Sequence, residues 1–212
     1  MQLKYKIMKK GIFLLITILS ISCRAQSPIF PVYGTQSMNK ENAYYKDVDN
    51  FHDQFVGTWV LNNGTNYLKV TFKKKSMFYT LLDKNYVDYL VGEYEYKLNG
   101  LTKVNSLTNL NINHNDILDY NLISISKINK DLIPICTDCA ASEKRLLMSF
   151  LEQPSRDPNW GPEADFVIRR VVENGLVMLK VQFIKTFAGT RIASPEVRDF
   201  SLPYGDYTLI KQ

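Results

Sequence analysis

Apolar and polar residues alternate in several short runs along this chain, with turn residues between them. The clearest run is Tyr67 to Phe72, where Leu68, Val70 and Phe72 share one face and Lys69 and Thr71 the other, the period of a half-buried antiparallel strand. It follows Asn62-Asn63-Gly64, and Asn-Gly accepts the positive φ that a type I′ hairpin turn requires. Phe55-Val56-Gly57-Thr58-Trp59, just before that turn, is then the start of the partner strand. Val91 to Leu98 sets Tyr94, Tyr96 and Leu98 against Glu93, Glu95 and Lys97, and Asn99-Gly100 closes it.

Later runs repeat the theme. Tyr120 to Ile128 reads as a strand through Ile123 and Ile125, and Leu146, Met148 and Phe150 as another. Phe166 to Val172, Glu173-Asn174-Gly175 and Leu176 to Phe187 form a second clear hairpin with Val177, Leu179, Val181 and Phe183 aligned, and Tyr207 to Ile210 is a closing strand. Ser76 to Leu90 reads either as a strand plus a turn or as a short helix, and the Asn-rich residues 99–121 as short strands with long turns. The expected fold is all-β: a single antiparallel β-barrel or curved β-sandwich of about eight to ten strands, over residues 51–212.

The opening segment has a different pattern. Lys4, Lys6, Lys9 and Lys10 precede an uncharged, mostly apolar run from Gly11 to Ile21, the layout of a signal peptide over residues 1–22 and too short for a membrane span of about 20 residues. Met8 supplies an alternative start. Leu19-Ser20-Ile21-Ser22-Cys23 resembles a bacterial lipobox, which makes Cys23 a lipidation site; cleavage after Ala25 is the competing reading. Either way the chain is exported, to the cell envelope as an outer-membrane lipoprotein or as a secreted protein. Residues 23–50, turn-rich and without a period, are a tether or N-terminal arm.

Composition adds little chemistry. The net charge of +5 over 212 residues falls to +1 once the four leader lysines are removed, and without a basic patch nucleic acid is excluded as a partner. The membrane is then met only through the lipid anchor, by a monomer.

Asn50-Phe51-His52-Asp53-Gln54-Phe55-Val56-Gly57-Thr58-Trp59 resembles the first signature of the lipocalins, in which a Phe and a Gly-x-Trp begin the first barrel strand. The resemblance implies structural roles for Gly57 and Trp59, with Trp59 plugging the closed end of an up-and-down barrel. Lipocalins also stack an Arg on that Trp, and no Arg here can be given the role. The whole chain is similar to uncharacterised exported protein families of flavobacteria, which implies compartment and fold but no activity.

Cys136-Thr137-Asp138-Cys139 reads as a local disulfide, the ordinary fate of paired cysteines in an exported chain. Zinc would need two further ligands, and His52 and His114 are the only histidines. Asn111 to Asp116 has oxygen ligands at alternate positions but lacks the Gly and Glu of a calcium loop. Glu93 and Glu95, in a row continued by Lys97, read as a solvated face, and His114 as exposed. No nucleophile elbow, zinc helix or phosphate loop is present. No catalytic residue, metal or cofactor is therefore assigned, and the protein is not read as an enzyme. The loop Pro154–Asp165, with Arg156, Asp157 and Trp160, is the candidate ligand-binding site, for a small apolar ligand or a glycan. The expected function is a non-catalytic envelope binding protein, with a structural or interaction protein as the alternative. A cavity of roughly 300 Å³ inside the barrel favours the first and a filled interior the second.

Overall fold

The computed structural model describes residues 27–152, 163–185 and 200–212. Two short strands, β1 (Ile29–Pro31) and β2 (Tyr44–Lys46), precede a 3-10 turn at Phe51–Gln54. Then come β3 (Gly57–Asn62), β4 (Asn66–Thr80), β5 (Asn85–Leu98) and β6 (Leu101–Asn105). After two more 3-10 turns follow β7 (Leu122–Ile128), β8 (Arg145–Leu151), β9 (Glu163–Glu173), β10 (Leu176–Lys185) and β11 (Gly205–Lys211). Pairing runs β5-β4-β3-β11-β10-β9-β8-β7, and β7 returns to β5. Eight antiparallel strands thus close an up-and-down barrel, whose pairing runs full circle.

The closing strand, β5, divides its outer edge among three partners. β2 takes Tyr86 and Val87 in parallel, β7 takes Val91 and Gly92, and β6 takes Glu95 to Leu98. β1 adds in parallel to β2, so the arm before residue 50 lies on the barrel, with Tyr45 buried.

Turn chemistry explains two of the hairpins directly. Asn99-Gly100 (φ 53° and 78°) and Asn174-Gly175 (φ 52° and 79°) both take the left-handed conformation at their two central residues, as type I′ turns require. The first hairpin turns otherwise. Asn63 keeps a negative φ, and a three-residue connection with Gly64 at φ 85° is held by the Asn62 and Asn63 side chains, which accept from the Gly64 and Asn66 amides. Two side-chain turns do the work expected of one backbone turn.

The inward faces match the alternation in most strands. Leu68, Val70 and Phe72, Tyr94 and Tyr96, Leu146, Met148 and Phe150, and Leu179, Val181 and Phe183 all belong to one core. β7 is read one residue out of phase: Leu122 faces this core, whereas Ile123 joins a small outer cluster with Tyr120 and Leu110, and Ile125 is exposed. A register shift between Ser124 and Ser126 breaks the period there.

The interior is packed with rings. Phe150 lies 5.1 Å from Tyr94, 4.6 Å from Phe183 and 5.2 Å from Phe200, centroid to centroid, and Phe166 and Tyr204 extend the cluster. Each such ring, fully buried, contributes about 2–3 kcal/mol. Gly92 makes room for one of them: a Cβ there would lie 2.6 Å from the Phe72 ring and 3.2 Å from Leu122 Cβ.

Candidate functional site

The connection from β7 to β8, residues 129–144, folds back over the outer wall formed by β8, β9, β10 and β11. Because Leu146, Ile168, Val181 and Leu209 face the core, their strand neighbours Arg145, Arg169, Lys180, Gln182 and Thr208 face outward. With Cys136 and Asp138 from the connection and Asp206 from β11, they line a cleft of ≈ 250 Å³.

Arg145 is the organising group. It is 1% exposed. Its Nη1 donates to Pro134 O (2.5 Å) and Gln182 Oε1 (2.9 Å), and its Nη2 to the carbonyls of Asn129 (2.8 Å), Leu132 (2.8 Å) and Lys130 (3.4 Å). A guanidinium is the one side chain whose planar fork can gather so many carbonyls at once. Among the described residues no carboxylate pairs with it, and its Nε is buried without a partner. Burial, with the repulsion of Arg169, lowers its pKa.

The neighbouring cations are neutralised. Arg169 pairs with Glu143 (3.3 Å) and with Asp138, and Lys180 with Glu173 (3.6 Å). Tyr207 packs on the core side of β11, where burial pushes its hydroxyl up to about 12 and it donates to Pro203 O. The cleft therefore offers a buried cation with no carboxylate paired to it among the described residues, the Gln182 amide and the Thr208 hydroxyl, with Asp206 at its exposed side.

Cys136 and Cys139 form the expected disulfide, with Cα atoms 5.5 Å apart, and it staples the connection where it borders the cleft. Asp138 and the two sulfurs lie within 4.8 Å of one another, but sulfurs joined to each other are not thiolate ligands.

A family model of proteins of unknown function matches residues 8–212, nearly the whole sequence. The chain belongs to this family, DUF6705. No curated protein and no solved structure matches it.

In this DUF6705 protein, the sequence-predicted ligand residues Arg156, Asp157 and Trp160, and the lipidation residue Cys23, lie outside the described residues. Gly57 takes φ 118°. Trp59 is fully buried, and its Nε1 donates to Phe55 O at 2.7 Å. Lys211 Nζ lies 5.3 Å from the Trp59 ring centroid. A cation therefore stacks on this Trp, supplied not by an arginine but by a lysine at the end of β11.

Two further polar clusters were not expected. Glu93 is fully buried, because residues 106–121 cover the outer face of β5. Its Oε1 accepts from Asn109 Nδ2 (2.8 Å) and the Asn121 amide (3.1 Å), while Oε2 has no partner among the described residues. His114 is half-buried and bonds to Asn109 Oδ1 through Nε2 at 2.7 Å, with Asp119 3.6 Å from Nδ1. The solvated-face and exposed-histidine readings thus fail, since the covering segment comes from elsewhere in the chain. Burial raises the Glu93 pKa.

The second cluster joins the arm to the barrel end. His52, fully buried in the 3-10 turn, meets the Tyr33 hydroxyl at 2.5 Å through Nε2, and Asp47 Oδ2 lies 3.5 Å from Nδ1. Asp47 also accepts from the Phe51 and His52 amides. Burial lowers the His52 pKa, outweighing Asp47. The two histidine clusters lie on other faces than the cleft, so no acid, base and cleft converge on one point among the described residues.

Proposed function

We propose that this protein is an exported, lipid-anchored, non-catalytic binding protein of the bacterial envelope that takes its ligand on the outer wall of a solid barrel. The observation that carries the reading is Arg145, a buried cation that lines an open cleft and has no carboxylate partner among the described residues. Burying a lone charge costs several kcal/mol unless it is compensated, and an anionic group entering the cleft would supply that compensation. The fitting ligand class is a small carboxylate, free or carried on a glycan or peptide. The ring-filled interior argues against a ligand held inside the barrel. Gly57, Trp59 and the cation from Lys211 support a lipocalin-type first strand whose role here is structural.

The non-catalytic reading is supported by the state of the acid–base groups. The Glu93 carboxylate and His52 ring are sealed from solvent, which suits bracing better than proton exchange with a substrate. An interaction protein that meets a protein or glycan partner is the second reading, favoured by the same packed interior.

Native mass spectrometry of protein purified from its own envelope tests both parts. The expected masses include lipid on Cys23, the two-hydrogen deficit of the disulfide and a retained anionic ligand. That ligand should be absent from Thr208→Trp, in which an outward-facing side chain fills the cleft. Equal retention by the variant would sink the cleft, and an unmodified chain beginning at Gln26 would sink the anchor.

A further inference from the structure

β4 and β5 run well past the short seam that closes the barrel, and their hairpin ends in the four-residue connection 81–84. At its tip Leu81 is 71% exposed and Leu82 92%. Met77, Tyr79 and Ile29 around it are also among the exposed large apolar side chains. Such a cluster at one extremity is unusual for a surface that only water meets.

The position of the arm gives this cluster a context. Ile29, Tyr44, Tyr86 and Tyr79 occupy one row across four strands, one residue from the Thr80–Asn85 pair that closes the hairpin. β1 runs parallel to β5 through β2, so the chain before Ile29 leaves the fold at the hairpin-tip end. Two strand spacings of about 4.8 Å separate β1 from β5. Cys23 lies four residues before Ser27, a reach of at most roughly 14 Å. A lipid on Cys23 and the Leu81-Leu82 tip would therefore approach the same plane. Lys84, in the hairpin connection itself, pairs with Glu41 of the arm at 3.1 Å.

We infer that the Leu81-Leu82 hairpin tip is a membrane-seating element, which inserts into the lipid headgroup boundary and holds the barrel at a fixed orientation on the bilayer. The inference takes its direction of approach from the proposed anchor at Cys23. An acyl chain alone tethers without orienting; a second apolar contact beside it removes the freedom to swing. The barrel end at which β8 finishes and β9 and β11 begin then faces away from the lipid.

The test separates the tip from the anchor. The full exported chain carrying Cys23→Ser, which has no acyl group, is mixed with vesicles of phosphatidylethanolamine and phosphatidylglycerol. We expect measurable binding that falls at least tenfold in Leu81→Asp/Leu82→Asp with the melting temperature unchanged. In the lipidated protein, a polarity-sensitive dye on Leu82→Cys should shift to the blue on reconstitution and resist aqueous iodide. The same dye on Leu101→Cys, at the opposite end, should do neither. Equal vesicle binding by the double variant, iodide access at position 82 equal to that at 101, or protection of the tip by dimerisation without vesicles would each overturn the inference. Tip-dependent binding by the Cys23→Ser chain supports it whatever mass is found at Cys23, so failure of the anchor reading is recorded separately.

Discussion

Replacing Arg145 tests how the cleft is built. Its side chain donates three short hydrogen bonds to carbonyls of the 129–144 connection and a fourth to Gln182. Charge-assisted bonds of this kind contribute about 1.5–3 kcal/mol each, and the desolvation of an uncompensated cation returns several kcal/mol of that sum. Arg145→Met removes both terms and leaves the Asn129, Leu132 and Pro134 carbonyls facing an apolar side chain. The connection has an escape, because Leu132, Ile133 and Ile135 are already exposed and the segment can lift into water. We therefore expect a loss of about 3–5 kcal/mol in chemical denaturation, together with fast tryptic cleavage at Lys130 and Lys144. Arg145→Lys keeps the charge but not the fork and should fall between, at about 2–3 kcal/mol. A Met variant within about 1 kcal/mol of the parent, with the connection as protease-resistant as before, would refute the assignment of Arg145 as the clasp.

Gly92→Ala should cost about 1–3 kcal/mol by overpacking Phe72 and Leu122, and Phe72→Leu in the same chain should recover part of the loss in urea unfolding; no recovery would show that the strain lies elsewhere. Because burial holds the His52 pKa below its unfolded value of about 6.5, the stability linked to neutral His52 is present above that pH and is lost as pH falls below it. His52→Gln should flatten the melting temperature between pH 7.5 and 5, and an unchanged slope would exclude His52 as the source. Glu93 has the opposite sign: its raised pKa makes the fold less stable as pH climbs above about 4.3. Glu93→Gln, which keeps the Oε1 acceptor, should therefore raise the neutral-pH melting temperature; a fall would mean that the charge itself is needed. Cys136→Ser/Cys139→Ser opens a loop of four residues and should cost only about 2 kcal/mol, with far-ultraviolet dichroism unchanged.

The barrel is largely legible in the sequence because its strands bury one face each, and a side-chain period of two then writes the core directly, as in Leu68, Val70 and Phe72. What fails does so where the cause is remote. Ile123 and Ile125 look like an inward pair, yet a bulge and the cluster around Tyr120 put Leu122 inside. β1 and β2 carry no period because β2 adds to the edge of β5, and β1 to β2, through main-chain bonds, which any sequence can make. Glu93 alternates as a surface residue and is covered by a segment more than ten residues away. Arg145 stands at an outward position beside an apolar run, and nothing local announces that a connection wraps around it. Lys211 is readable only as a cation just past the last predicted strand, and its pairing opposite Trp59 comes from the β11–β3 register.

The buried charges have a common logic. Asp47, His52, Asp88, Glu93, Arg145, Glu152 and Arg169 are the buried acidic and basic side chains among the described residues, and each fastens an irregular segment to the barrel. Asp88 accepts from Tyr44 Oη, the Asp47 amide and the Met77 amide, so one carboxylate fixes both the arm and the bulge that leads to the hairpin tip. Glu152 accepts from the Ser201 amide at 2.6 Å, which brings Phe200 over the ring cluster. Glu93 holds residues 106–121, and Arg145 with Arg169 holds residues 129–144. Hydrophobic packing is non-directional and suffices for a barrel whose strands already pair along their length. A loop has few main-chain partners, so its position must come from directional bonds to a fixed wall, and a buried charge makes the strongest of these. The barrel is in this sense a frame with anchor points, and the cleft exists because Arg145 pulls one connection against the wall while Arg169 draws its Asp138 and Glu143 side chains to the same strands.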